Sequence, residues 1–179
     1  MKQTAVTPVV LGLLALAPRP ISGYDIKNVV DRSTRFFWAA SYGQIYPELR
    51  RLEDEGLIEG EDAPTGERGR RVYKLTKTGR EALVDWLLGP TLTIEYRDES
   101  LLRLFFADAL PREQALLLLE GRKRGHEEYL ETLRAIDARP GDDPQFVNLV
   151  LRWGISFNEW GAEWCQQQLD RLKSKSKAA

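Results

Sequence analysis

The sequence predicts a mainly α protein in two parts: an N-terminal winged helix-turn-helix with a two-stranded β-wing, and a C-terminal all-α dimerisation domain with two long helices. Three observations carry that prediction. Helix-start signals recur at short intervals ahead of Gly56, a turn-rich pair of short strands follows over residues 57–75, and beyond Gly89-Pro90 apolar residues recur only at helical spacing. The 179 residues, 42% hydrophobic and 30% charged, suit a folded protein and exclude disorder and collagen-like repetition.

The first helix opens at Thr7-Pro8, read as an N-cap followed by proline at the first helical position, and Pro18-Arg19-Pro20 stops it. Lys2 ahead of an apolar run and the small-x-small triplet Ala15-Leu16-Ala17 also have the look of a secretory signal, but a short buried helix explains the same residues. The run Val9 to Ala17 is far short of the roughly 20 residues that span a bilayer. Ser22-Gly-Tyr-Asp25 has capping-box spacing and starts a second helix to about Arg35, with Tyr24, Ile26, Val29 and Val30 as its apolar positions. Ser41-Tyr-Gly-Gln44 repeats the signature. It opens a third helix whose inward stripe is Ile45, Leu49 and Leu52 and which Gly56 closes. Leu57-Ile58 and Val72-Tyr-Lys-Leu75 are the strands, joined by a tip from Glu61 to Gly69 that holds Pro64, Gly66 and Gly69. Thr76 or Thr78 caps a fourth helix that Gly89-Pro90 ends.

These elements fill a DNA-binding domain over residues 1–88. Residues 89–98 form a connector. A helical dimerisation and effector domain covers 99–172: a short helix around Leu101 to Phe106, a long one from Pro111 to the breaker Arg139-Pro-Gly-Asp-Asp-Pro144, and a last one to about Leu172. Each long helix measures on the order of 40 Å. Residues 173–179, all Lys, Ser and Ala, form a flexible tail.

Twenty-six basic against 27 acidic side chains give a net charge of -1, so only local clustering can serve an electrostatic function. One cysteine, Cys165, excludes an intrachain disulfide, and one histidine, His126, excludes a Cys/His zinc site, which fits a reducing cytoplasm. Neither residue has the company a reactive thiol or catalytic imidazole needs. His126 is expected to be a hydrogen-bonded packing residue and Cys165 a small interface one. No metal, cofactor or catalytic residue is expected.

Charge does cluster between Arg68 and Arg80, where Arg68, Arg70, Arg71, Lys74, Lys77 and Arg80 follow one another with no acid among them. Immediately before lies the third helix, whose outward positions include Tyr42, Gln44, Tyr46, Arg50 and Arg51. Gln pairs with adenine and Arg with guanine in the major groove, while Tyr hydroxyls and helix-start amides hold phosphates. The expected DNA-binding set is Ser41, Tyr42, Gln44, Tyr46 and Arg50 on the helix, with Arg68, Arg70, Arg71 and Lys74 on the wing. Glu48, Glu53, Asp54 and Glu55 weigh against it, since acids repel phosphate. Pro47 inside the helix either kinks it, turning Tyr46 outward, or merely stiffens its start.

The stretch Gly43-Gln-Ile-Tyr-Pro-Glu-Leu-Arg-Arg-Leu-Glu-Asp-Glu-Gly-Leu-Ile58, followed by Gly69-Arg-Arg-Val-Tyr-Lys-Leu-Thr-Lys-Thr-Gly79, resembles the PadR family of bacterial transcriptional regulators. Leu11-Gly-Leu-Leu-Ala-Leu and Ser22-Gly-Tyr-Asp-Ile resemble its first two helices, so the likeness covers residues 5 to 88. The second half is similar in outline to the long helical type of member, through Leu102-Arg-Leu-Phe-Phe-Ala-Asp and the two long helices. The resemblance implies a homodimeric repressor on palindromic double-stranded DNA, released by a small and frequently aromatic ligand. It also implies that residues 7–17 form a helix of the fold.

Phe146, Trp153, Trp160 and Trp164 fall at intervals of seven, seven and four on one face of the last helix, with Leu149, Val150 and Phe157 between them. A stripe this wide is expected to be a dimer seam, because it would aggregate in water. The same rings suit a flat aromatic effector, for which Trp153, Phe157, Trp160 and Trp164 are the candidates. Two other functions fit the residues: a small all-helical enzyme with an aromatic pocket, though no nucleophile, phosphate or dinucleotide motif is present, and a winged-helix protein-interaction module.

Overall fold

The computed structural model describes residues 4–62, 71–90, 98–137 and 145–175. The chain divides into two compact units, Met1–Thr93 and Ile94–Ala179.

The first unit runs α1 (Thr7–Leu16), β1 (Ile21–Ser22), α2 (Gly23–Arg32), a 3-10 turn (Thr34–Phe36), α3 (Tyr42–Asp54), β2 (Ile58–Asp62), β3 (Arg71–Leu75) and α4 (Lys77–Leu88). Helix α1 starts one residue earlier than its letters suggest. Val6 is the N-cap and Thr7 the first helical residue, because Thr4 Oγ1 accepts the Val6 and Thr7 amides while the Thr7 hydroxyl turns to Glu48. The box at Ser22 forms as expected: Asp25 N–H donates to Ser22 Oγ and the Ser22 N–H to Asp25 Oδ2. Helix α2 ends at Arg32 rather than about Arg35, where Ser33 Oγ donates back to the Val29 carbonyl at 2.6 Å.

The wing gains a third strand. β1 pairs antiparallel with β3 through Ile21 opposite Tyr73, and the sheet order is β1-β3-β2. Two residues show no alternating pattern, so nothing in the letters marks β1 as a strand. Val10, Ile26, Val30, Ile45, Leu49, Leu52 and Ile58 interlock as the core of the unit, and the expected inward stripe of α3 lies wholly inside it.

Thr76, not Thr78, caps α4. Its Oγ1 accepts the Gly79 amide at 3.0 Å and donates toward the Gly56 and Leu57 carbonyls at 2.8 and 3.0 Å, tying α4 to the end of α3. Gly56 sits there with φ +70°, the left-handed conformation a helix end uses to turn into a strand.

The second unit runs α5 (Glu99–Phe105), a 3-10 turn (Ala107–Ala109), α6 (Arg112–Asp137) and α7 (Gln145–Lys175). The two long helices measure about 40 and about 45 Å and run antiparallel: Arg112 and Glu120 meet Leu172 and Lys173, and Leu133 meets Gly154. Helix α7 continues three residues past Leu172, and Lys173 pairs with Glu120 at 3.1 Å, so the segment expected to fray is helical as far as Lys175. Leu119, Cys165 and Leu169 are buried between the helices. Asp98 caps α5 and receives Arg122 Nη1 at 2.7 Å. Burial alone would raise the Asp98 carboxyl, but hydrogen bonds from Ser100 and Arg122 outweigh it and hold the group well below the usual carboxylate range. Among the described residues no helix is long and apolar enough to cross a membrane.

Candidate nucleic-acid interface

Helix α3 buries Ile45, Leu49 and Leu52, and its period then turns Tyr42, Gln44, Tyr46 and Arg50 outward. Tyr42, Tyr46 and Arg50 are spaced by four and form one strip along the helix. The two tyrosine rings stack at 6.2 Å between centroids, and Lys27 Nζ of α2 stands 5.3 Å over the Tyr42 ring while also pairing with Asp31. Lys27 is not among the residues expected at the interface, although its four-residue spacing from Asp31 is a visible signal. Tyr46 packs on Gly23, where a Cβ would come within 2.9 Å of its ring. At the helix start the Ser41 amide donates to Gln44 Oε1 at 2.9 Å, and the Ser41 hydroxyl lies 3.0 Å from the same oxygen.

Arg51 is not part of this outward face. Its guanidinium donates to Glu48 at 2.7 Å, to Glu55 at 2.5 Å and to the Thr7 hydroxyl at 3.1 Å. Glu48, only 5% exposed, also accepts the Thr7 hydroxyl. Burial pushes its carboxyl up, but hydrogen bonds from Arg51 and Thr7 prevail and leave it below the ordinary value. Three of the four acids expected to repel phosphate are thereby paired: Glu48 and Glu55 share Arg51, and Glu53 pairs with Arg71 at 2.5 Å, while Asp54 is exposed.

The wing cations differ from their linear order too. Antiparallel register sets Lys74 opposite Glu59 and Arg71 opposite Asp62, with ion pairs of 3.1 and 3.4 Å. The run is free of acids along the chain, but β2 brings them from the other strand. Lys77 lies 4.0 Å from Glu81, and Arg50 and Arg80 are exposed with no ion pair among the described residues. Arg68 and Arg70 lie outside the described residues. Helix and wing meet at Tyr73, whose buried phenol is raised chiefly by desolvation and feels the charges of Glu53, Arg71 and Arg50 together.

In the second unit the aromatic residues of α7 form a ladder. Trp153 and Phe157 stack at 5.4 Å and 8°, Phe157 and Trp160 lie 6.3 Å apart, and Trp160 and Trp164 6.5 Å. Trp153 is 64% and Trp160 60% exposed, with Phe146, Leu149 and Val150 exposed beside them. Phe157 and Trp164 are half-buried. His126 of α6 meets Phe157 edge-on, and its Nδ1 lies 2.9 Å from Asn158 Oδ1. Gly161 makes room for that imidazole, since a Cβ there would stand 2.6 Å from it. Cys165 is buried, which raises its thiol. Among the described residues no three His, Cys, Asp or Glu side chains gather as a metal site.

A family model described as the transcriptional regulator PadR-like family matches residues 10–85, and one described as virulence activator alpha C-term matches residues 96–173. The negative transcriptional regulator PadR of Bacillus subtilis is 34% identical over 127 residues, covering 70% of this chain and 69% of the relative. The crystal structure of Bacillus subtilis PadR in complex with operator DNA matches with a TM-score of 0.83 at 27% identity, over 96% of this chain and 99% of that one. Its complex with p-coumaric acid matches at 0.76 and 27%, over 95% and 99%. Fold and relatives together define a winged-helix transcriptional regulator. The chain belongs to the PadR family, with the long helical C-terminal region.

Proposed function

We propose that the protein is a homodimeric repressor that binds palindromic operator DNA through α3 and the wing and is released by a small aromatic effector. The observation that carries the reading is the outward strip Tyr42, Tyr46 and Arg50, with Gln44 beside it, on a helix where Glu48, Glu53 and Glu55 are paired with arginines. Such a strip offers donors to base edges and phosphates, and the arginine partners of Glu48, Glu53 and Glu55 reduce the negative field beside it. Ser41, Arg71 and Lys74 complete the contact surface, and Arg68 and Arg70 join it. The operator-bound Bacillus subtilis relative supports this assignment, and that relative's description as a negative regulator supports repression. The cytoplasm, where promoter DNA is found, is the place of action.

In this reading residues 1–88 bind DNA, 89–98 connect, and 99–172 dimerise. Dimerisation covers the exposed Phe146, Leu149, Val150, Trp153 and Trp160 and sets two recognition helices about 34 to 36 Å apart, one duplex turn. The Trp153, Phe157, Trp160 and Trp164 rings take the effector. Trp153 and Phe157 already stack on each other, so a planar ligand lies on their outer faces rather than between them. The p-coumaric acid complex of the relative supports a ligand of this class. The ligand shifts the equilibrium only by its preference between DNA-competent and incompetent dimers.

Selection of bound fragments from random duplex DNA tests the reading, and a palindromic consensus is the expected result. Arg50→Ala weakens binding to that consensus by about 1–3 kcal/mol, the cost of a lost base contact. Trp160→Glu yields monomers in sedimentation and loses operator binding. An unstructured consensus, or full binding by a monomeric variant, defeats it.

A further inference from the structure

We propose that Arg71 is a positioning residue for operator binding: it clamps the base of the wing to the end of the recognition helix through Glu53 and does not itself grip phosphate. The inference rests on the DNA-binding reading above and reassigns one of its residues.

Three elements meet at the clamp. Glu53 comes from the last turn of α3, Gly60 from β2 and Arg71 from β3. Glu53 Oε1 receives Arg71 Nη2 at 2.5 Å and the Gly60 amide at 3.2 Å, so one carboxylate oxygen joins the recognition helix to both strands of the wing. The guanidinium's other arm points to Asp62 at 3.4 Å. Both ends of the fork therefore face carboxylates. A phosphate approaching Arg71 would have to displace Glu53 against the repulsion of two acids.

Gly60 is what allows the clamp to close. A Cβ at this position would stand 2.6 Å from Arg71 Nε, 2.7 Å from Glu53 Oε1 and 2.9 Å from the Tyr73 ring. The Arg71–Glu53 pair thus lies directly across the strand at the one residue with no side chain, over the buried Tyr73. The charge at Glu53 responds accordingly: the Arg71 hydrogen bond is the largest influence on it and lowers its carboxyl below the ordinary value. At the geometric level this fixes the angle between the α3 strip and the wing, which must match the spacing of a major groove and its flanking backbone.

The test measures operator affinity by fluorescence anisotropy over a salt titration for wild type, Arg71→Ala, Glu53→Gln and Gly60→Ala. A clamp predicts that all three variants weaken binding by a similar factor, roughly two- to fivefold, with the slope of log affinity against log salt unchanged. The double variant Arg71→Ala/Glu53→Gln is then no weaker than either single one. A phosphate ligand predicts the opposite for Glu53. Removing the carboxylate frees the guanidinium, Glu53→Gln tightens binding, and Arg71→Ala flattens the salt slope by about 0.9. Tighter binding by Glu53→Gln, or a flattened slope in Arg71→Ala, overturns the clamp while leaving DNA binding intact. A wild-type protein that binds no duplex overturns the function and the clamp together. Should Gly60→Ala fail to fold, the sign of the Glu53→Gln effect decides alone.

Discussion

Arg51→Met destabilises the winged-helix unit by about 2–4 kcal/mol, because it strands a buried carboxylate. Glu48 is turned inward against α1, and its compensation comes from the Arg51 guanidinium and the Thr7 hydroxyl. Removing Arg51 leaves only the threonine hydroxyls of Thr7 and Thr4 against the desolvation of a charge. The pH dependence carries the diagnostic sign. In wild type the folded-state carboxyl of Glu48 lies below its ordinary value, so the pair's stabilisation is complete above about pH 4.3 and is lost as pH falls through the depressed value. In Arg51→Met the hydrogen bond and charge of Arg51 that lower that carboxyl are gone, so it rises from its wild-type position, and acidification protonates it earlier and relieves the variant. Thermal melts from pH 7 to pH 4 should therefore show the gap between the two proteins narrowing. Parallel curves would mean that Glu48 is not the stranded group. Adding Glu48→Gln to Arg51→Met should recover part of the loss, since a neutral amide costs less to bury.

Gly79→Ala lowers the stability of the same unit by about 3 kcal/mol or more, the upper range of overpacking, although alanine is the better helix former. A Cβ at Gly79 would lie 1.9 Å from the Leu57 carbonyl oxygen and 2.8 Å from its carbon. The obstacle is backbone, which no rotamer change can clear. Helix α4 has to lift off, and the hydrogen bonds from Thr76 Oγ1 to Gly56 and Leu57 and from the Thr76 amide to Leu57 lengthen with it. Gly12→Ala in α1 is the matched control. There a Cβ meets nothing within 4 Å, so the variant should gain about 0.5–1 kcal/mol from helix propensity alone. Denaturant melts that moved both variants in the same direction would refute the steric account.

Much of the candidate site is legible in the amino-acid sequence. The capping boxes at Ser22 and Ser41, the inward stripe Ile45, Leu49 and Leu52, and the outward Tyr42, Gln44, Tyr46 and Arg50 all follow from spacing within a single helix. The aromatic ladder on α7 is legible for the same reason, since a helical period fixes which rings share a face. Spacing alone misplaces Arg51. It allows an outward position, and only the acid on the preceding turn together with Thr7 of another helix draws the side chain in. The wing reads along the chain as unopposed cations, because the acids opposing Arg71 and Lys74 lie in a different strand and helix.

By itself the sequence determined the order of the helices and the apolar faces they bury, because those depend on interactions within a few residues of the chain. Cross-strand register, the third strand at Ile21, the partner of each charge and the room demanded at Gly60, Gly79 and Gly161 were decided by tertiary structure. These depend on distances between residues remote along the chain, and a charge or a glycine has the same letter whether its neighbour in space is water, a carboxylate or a carbonyl.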